Sequence, residues 1–264
     1  MMTTLNPRRS LLLSALLLGL CAPVLAQDAA PAAAKPTTVS AEVVSPAAQA
    51  VLDRMTTYLR GLQSFSVESR ASRDEVVAYG YKLQHNERAS LTVQRPNHIR
   101  ADVEGDLVNR RFFYNGSRFV MYSPDDQAYV DTPATANLDR LIGGLLDAGV
   151  EMPLIDVIYQ SFAGTLTDQV RGGVLVGESD INGVRCDHLA FRQANADWQL
   201  WVEKGDRPVP RKVVITTRYE VGDPQYQATM TWNFKPAIDK ATFSFTPPAG
   251  VQQINFADAA AVQD

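Results

Sequence analysis

Hydrophobic side chains fall at every second position along most of this chain, and a chain patterned that way must build sheet with one face buried. Phe65 and Val67, then Tyr79, Tyr81 and Leu83, then Leu91 and Val93, then Ile99, Ala101 and Val103 keep the period. Turn signals divide the runs: Asn115-Gly116 between RRFFY and SRFVMY, SPDDQ at 123–127, and Asn182-Gly183 between GVLVGESDI and VRCDHLAFR. Asn-Gly suits a type I′ hairpin, in which both central residues take positive φ. WQLWVEK, RKVVITTRYEV and YQATMTWNF continue the pattern, for roughly ten or eleven strands in all. Their short connections predict an antiparallel meander, because parallel pairs need long crossovers. Phe243 and Phe245 point the same way on an expected last strand, which Pro247-Pro248 ends because neither residue donates a backbone N–H.

Two stretches break the period. Ser45 caps a predicted helix whose first position suits Pro46, and Val51, Leu52, Met55, Tyr58, Leu59 and Leu62 then share one face, with Gly61 weakening the end. At 138–162 the spacing is helical again. Leu138, Leu141, Ile142, Leu145 and Leu146 lie at i, i+3, i+4, i+7 and i+8, with Gly149 placed to cap the end in a left-handed turn. Pro153 opens a second apolar segment containing Leu154, Ile155, Val157, Ile158 and Phe162. Gly143-Gly144 weakens the first of these helices, so packing must hold it.

These elements predict one α+β, mainly β domain. An antiparallel sheet of this many strands twists and curls, giving an incomplete barrel with a concave apolar face too large to leave wet. The helices at 46–62 and 136–162 are the elements able to plug it. A complete fill makes them core, whereas a partial or movable one leaves an apolar pocket.

The chain start reads as a secretory leader over residues 1–26: Arg8 and Arg9, an apolar run from Leu11 to Leu20, and Val24-Leu25-Ala26 before the cut. The run is too short to span a bilayer, and Leu20 before Cys21 does not suit lipidation. Residues 27–44, rich in Ala, Pro and Thr, form an expected flexible tether; the domain covers 45–254, and 255–264 are an expected disordered tail. Losing the leader removes two of 25 basic residues and none of the 29 acidic ones, moving the net charge from −4 to −6. That balance excludes nucleic acid as a partner and disfavours tight docking on anionic lipid.

Chemistry is sparse. Cys186, the one cysteine left, reads as a small buried hydrophobe on a strand. His85, His98 and His188 stand in separate strand contexts without metal-ligand spacing, and Asp125-Asp126 falls in a turn. There is no nucleophile elbow, phosphate-cradling glycine loop or calcium loop. Asn115-Gly116-Ser117 reads as a hairpin rather than a glycosylation acceptor, and Trp198, Trp201 and Trp232 read as sheet packing before ligand contacts. No enzyme activity and no cofactor or metal is expected.

The strand-turn-strand FFYNGSRFVMYSPDDQAY, with LWVEKGDRPVPRKVVI and FSFTPPAGV, resembles an uncharacterised family of predicted periplasmic proteins related to the LolA/LolB/LppX lipoprotein carriers. The resemblance covers most of 45–254 and implies an incomplete β-barrel with a helical lid over a cavity that shields acyl chains in the periplasm. On that reading the ligand is a lipid or a lipoprotein acyl chain, with any envelope partner transient. The candidate contacts are Leu141, Leu145, Leu154 and Ile158 from the lid, with Phe113 and Met121 from the sheet. The alternative is a sensor or scaffold that binds a partner protein through the same fold.

Overall fold

The structure, a computed structural model, describes residues 43–134, 137–148, 150, 154–155, 166–167 and 169–255, all within one compact unit. The expected leader, most of the tether, nearly all of the tail, Gly149 and Ile158 lie outside the described residues.

The first helix, α1 (Pro46–Gly61), starts as the sequence predicts: Pro46 is its first residue and Ser45 Oγ accepts from the Ala48 N–H at 3.3 Å. Ala48, Val51, Leu52, Met55 and Leu59 form its buried stripe. Twelve strands follow: β1 (Ser64–Val76), β2 (Lys82–Gln94), β3 (His98–Gly105), β4 (Asn109–Tyr114), β5 (Arg118–Ser123), β6 (Ala128–Pro133), β7 (Gly172–Ile181), β8 (Val184–Arg192), β9 (Ala196–Glu203), β10 (Pro210–Thr217), β11 (Gln225–Asn233) and β12 (Gln252–Gln253). The second helix, α2 (Leu138–Asp147), lies between β6 and β7 in the chain.

All twelve strands join one open sheet in the order β12-β6-β5-β4-β3-β2-β1-β11-β10-β9-β8-β7. Two meanders, β1–β6 and β7–β11, meet where β1 pairs β11 antiparallel from Ser66↔Asn233 to Arg73↔Tyr226. The edges β7 and β12 do not pair with each other, so the barrel stays incomplete. Every pairing between strands is antiparallel save that of β12 with β6, which is parallel.

Strand parity assigns the side chains to two faces. Phe65, Val67, Leu91, Val93, Ile99 and Ala101 lie on one, at 1 % exposure or less, in one cluster with the stripes of α1 and α2. The other face carries most of the charge and is covered locally by the run after β11. Burying one side of β1, β2 and β3 is what the two-residue period of the sequence specified.

Four local expectations need correction. Tyr79 and Tyr81 do not belong to a half-buried strand: they lie in the turn between β1 and β2, 99 % and 68 % exposed. The apolar alternation there is accidental, because these long strands pair continuously from Ser64↔Gln94 to Val76↔Lys82 and the chain must reverse between them. Asn115 does not take positive φ as a type I′ turn requires. Its side chain instead accepts from the Ser117 and Arg118 N–H groups at 3.1 and 3.0 Å, a local bond that competes with the hairpin turn. The type I′ signs occur at Asn182 (φ 52) and Gly183 (φ 81). Phe243 and Phe245 are not on a strand; they lie in an irregular run before β12, whose extra pairing brings the strand count to twelve.

Candidate functional site

On α2 the cap is made by Asn137, whose side chain accepts from the Arg140 N–H at 3.0 Å. Leu138, Leu141, Ile142 and Leu145 are buried, while Leu146 is 46 % exposed. The helix thus touches the core through one narrow stripe. Among the described residues, a Cβ added at Gly143 or Gly144 would meet no atom within 4 Å outside the backbone of α2 itself. Their effect is to lower the intrinsic helix stability of α2.

The loop between β2 and β3 reaches the first turn of α2. Arg95 donates Nε to the Leu62 carbonyl at 3.0 Å, and burial pushes its guanidinium below the usual value while the Asp139 carboxylate pulls it back up. Asp139 Oδ1 is buried without a hydrogen-bond partner. The Asp139 carboxylate at the start of α2 thus attracts the Arg95 guanidinium of the β2–β3 loop.

Beneath the helices, β4 and β5 pair Phe112 with Met121 and Tyr114 with Phe119. All four are nearly fully buried in the shared core, and burial raises the Tyr114 phenol above its usual value. Leu141, Leu145, Leu154 and Met121 all join this cluster, Leu154 as a half-buried residue with φ 57. Phe113 does not. It pairs with Val120 and turns to the opposite face, where its ring lies 5.3 Å from that of Phe245 and 4.8 Å from the Arg100 guanidinium. Its neighbour Phe112, opposite Ala101 on β3 and Met121 on β5, faces the helix-covered core instead. Alternation from the buried Ile99 and Ala101 is the signal that separates the two phenylalanines.

The remaining reactive groups are accounted for by packing. Cys186 is fully buried, its Sγ donates to the Val184 carbonyl at 3.3 Å, and desolvation pushes the thiol to about 11. His85 lies 2.8 Å from a Glu75 oxygen, His98 meets the Phe243 ring, and His188 is stacked 4.2 Å above Trp201 while its Nε2 is 2.9 Å from Gln199. Trp198 stacks on Phe191, and Trp232 donates to the Pro210 carbonyl at 2.8 Å. Among the described residues no cluster of His, Cys, Asp and Glu could hold a metal ion, and no helix is long and apolar enough to cross a membrane.

An open, mostly antiparallel sheet with apolar helices over one face defines an incomplete barrel with a helical cover. The chain belongs to the DUF2092 family of predicted periplasmic proteins, whose profile spans residues 48–257, and its compartment is the periplasm. No curated protein matches it in sequence. Among solved structures it is similar to LprF from Mycobacterium bovis, at 13 % identity and a TM-score of 0.47, covering 79 % of this chain and 99 % of that one. It is also similar to the lipoprotein LppX from Mycobacterium tuberculosis, at 14 % identity and TM-score 0.42 over 74 % and 100 % of the two chains. A LolA superfamily protein from Nitrosomonas europaea aligns at 11 % identity and TM-score 0.34 over 75 % and 97 %. Function follows from this chain's own two sheet faces.

Proposed function

We propose that this protein is a non-enzymatic periplasmic binder of hydrophobic ligands, sequestering an acyl chain of a lipid or lipoprotein between α2 and the apolar face of the sheet. The observation that carries the reading is the small size of the described cover. A ten-residue helix with two adjacent interior glycines, held by one stripe of side chains, lies over a face built from large apolar residues. Burying each methylene of a guest contributes about 0.8 kcal/mol, so a chain of about a dozen outweighs the modest cost of lifting so short a helix. Leu141, Leu145, Leu154, Met121 and Phe112 are the proposed contacts, and residues 1–26 the proposed export leader.

The test is native purification, organic-solvent extraction and mass spectrometry of co-purifying lipid, with titration of a fluorescent fatty acid. Leu145→Glu, at a position 4 % exposed, removes probe uptake and leaves the β-sheet circular dichroism intact if α2 is a lid. Ligand-free protein that ignores the probe, or a variant that unfolds entirely, defeats the reading.

A second reading, a scaffold for a partner protein, has one observation behind it. Edge strand β7, bridged at Gly173 by Val44, exposes Val174, Leu175 and Val176 at 51 %, 37 % and 55 % beyond that bridge, and an apolar edge of this kind accepts an added strand. Val176→Lys would weaken such a partner's binding and leave probe uptake unchanged.

A further inference from the structure

We propose that the sheet face turned away from the helices carries a second binding site, an arginine-lined groove for a polar ligand bearing a phosphate group.

The groove has a volume of about 600 Å³. Its floor is β1, β2 and β11, with β3 and β4 forming one side and Asn182, at the tip of the β7–β8 hairpin, also in its lining. Arg70, Arg88, Arg100 and Arg111 all line it. Arg70 and Arg88 are direct cross-strand partners, and Arg111, on β4 three strands from Arg70, stands opposite Asp102. Like charges placed directly opposite on a sheet repel, so this pair destabilises the empty protein.

Three acids share the groove: Glu68, Asp102 and Glu104. They do not neutralise the arginines. Glu104 is the cross-strand partner of Arg88 and Glu68 is two residues from Arg70, yet within 4.0 Å the described ion pairs in the groove reduce to Arg100 with Asp102, at 3.0 Å. Among the described residues the guanidinium groups of Arg70, Arg88 and Arg111 form no ion pair, Arg111 lying 5.9 Å over the Tyr122 ring with its N–H fork still available. Two such forks about 5 Å apart at their Cβ atoms can converge on one tetrahedral oxyanion, each by paired hydrogen bonds.

A second feature points to what accompanies the anion. Asp102 Oδ1 is buried and has no hydrogen-bond partner, whereas its Oδ2 accepts from Arg100. An unpaired buried acceptor calls for a donor. Glu68, Glu104, Ser90, Asn109 and Thr231 offer further polar contacts around it. Arginines for a phosphate beside carboxylates for hydroxyls suit a sugar phosphate, or the phosphate and glycerol of a lipid headgroup. The site stands whether or not the helix-covered face holds an acyl chain.

Amide-resolved NMR titration of the whole protein at constant ionic strength tests it, with inorganic phosphate, glucose 6-phosphate and glucose as probes, and sedimentation with phosphatidylglycerol vesicles as the lipid arm. Both soluble phosphates should shift the amides of residues 68–70, 88–90 and 102–104 saturably, the sugar phosphate more tightly, and glucose alone should not. Arg88→Gln weakens binding about tenfold or more and does not lower the thermal midpoint, because it removes one member of a like-charged pair. Arg192→Gln, whose parent side chain is paired with Asp197 outside the groove, leaves phosphate binding unchanged. Binding to vesicles alone, lost in Arg88→Gln, keeps the phosphate site and assigns its source to a headgroup. Non-saturating shifts, or affinity unchanged in Arg88→Gln, overturn the proposal.

Discussion

The Arg54 guanidinium on α1 donates to the Asp187 carboxylate on β8 at 3.0 Å, joining residues 133 apart in the chain. The carboxylate is nearly buried on the helix-covered face, and Lys204 Nζ approaches its other oxygen at 3.6 Å. Together with the hydrogen bond from the Ser45 N–H to the Gly173 carbonyl at 2.9 Å, this contact ties α1 to the β7 end of the sheet. No comparable set of polar bonds among the described residues holds α2, whose Asp139 carboxylate attracts the Arg95 guanidinium of the β2–β3 loop. Among the described residues, more polar bonds to the sheet are made by α1 than by the body of α2.

The two members of the α1 anchor should respond unequally. Arg54 is 59 % exposed at its side chain, so Arg54→Ala costs about 1 kcal/mol or less. Asp187→Ala removes the acceptor shared by two cations and costs about 1 to 3 kcal/mol. Urea unfolding followed by circular dichroism gives both values. Equal losses would show that the anchor is not organised around the carboxylate.

Alkaline pH should weaken the fold through Cys186. Its thiol is held at about 11 in the folded protein, against about 8.5 in an unfolded chain. Because the folded state resists ionisation, the stabilisation is complete below the unfolded value and is lost as pH rises from there through about 11. The urea midpoint should therefore fall more steeply over that range in the parent than in Cys186→Val. The buried thiol should also react slowly with a disulfide reagent at neutral pH. Rapid labelling of the folded protein would contradict the burial.

The segment after β11 works as a strap. Phe245 places its ring 5.3 Å from Phe113, 5.2 Å from Tyr122 and 5.2 Å from Tyr129, all on the face away from the helices. Phe245→Ala should cost about 1 to 3 kcal/mol and leave the fatty-acid probe binding unchanged. Met121→Trp, on the other face, should reduce probe capacity through added bulk. If Phe245→Ala alone abolishes probe binding, the strap supports the lid rather than the sheet.

Period and capping made much of this architecture readable in the sequence. The Ser45-Pro46 start and the Val51, Leu52, Met55 and Leu59 stripe of α1 are local features, and local features survive folding unchanged. The Asn115 turn differed through a local side-chain bond, whereas the other differences depended on how the strands pair. Tyr79 and Tyr81 alternate like strand residues, but the long β1–β2 pairing turns there. Phe113 and Met121 are both apolar and close in sequence, and which face each occupies was settled only by the register of β4 against β3 and β5. The arginine groove left no local mark, because Arg70 and Arg88 become neighbours only when β1 pairs β2.

The glycine pair of α2 separates a lid from a plug. Among the described residues, neither Gly143 nor Gly144 has an atom outside the α2 backbone within 4 Å of where a Cβ would project, so alanine meets no described neighbour at either. Each replacement should stabilise the helix by about 0.5 to 1 kcal/mol through lower backbone entropy in the unfolded chain. If α2 lifts to admit a guest, Gly143→Ala/Gly144→Ala makes lifting with local unwinding rarer, and stopped-flow entry of the fatty-acid probe slows by roughly the corresponding factor, about fivefold to thirtyfold. If α2 is a fixed plug, the thermal midpoint rises and entry does not change. The lid reading needs both effects in the same variant, since slower entry without added stability would mean the alanines block the path instead of stiffening the helix.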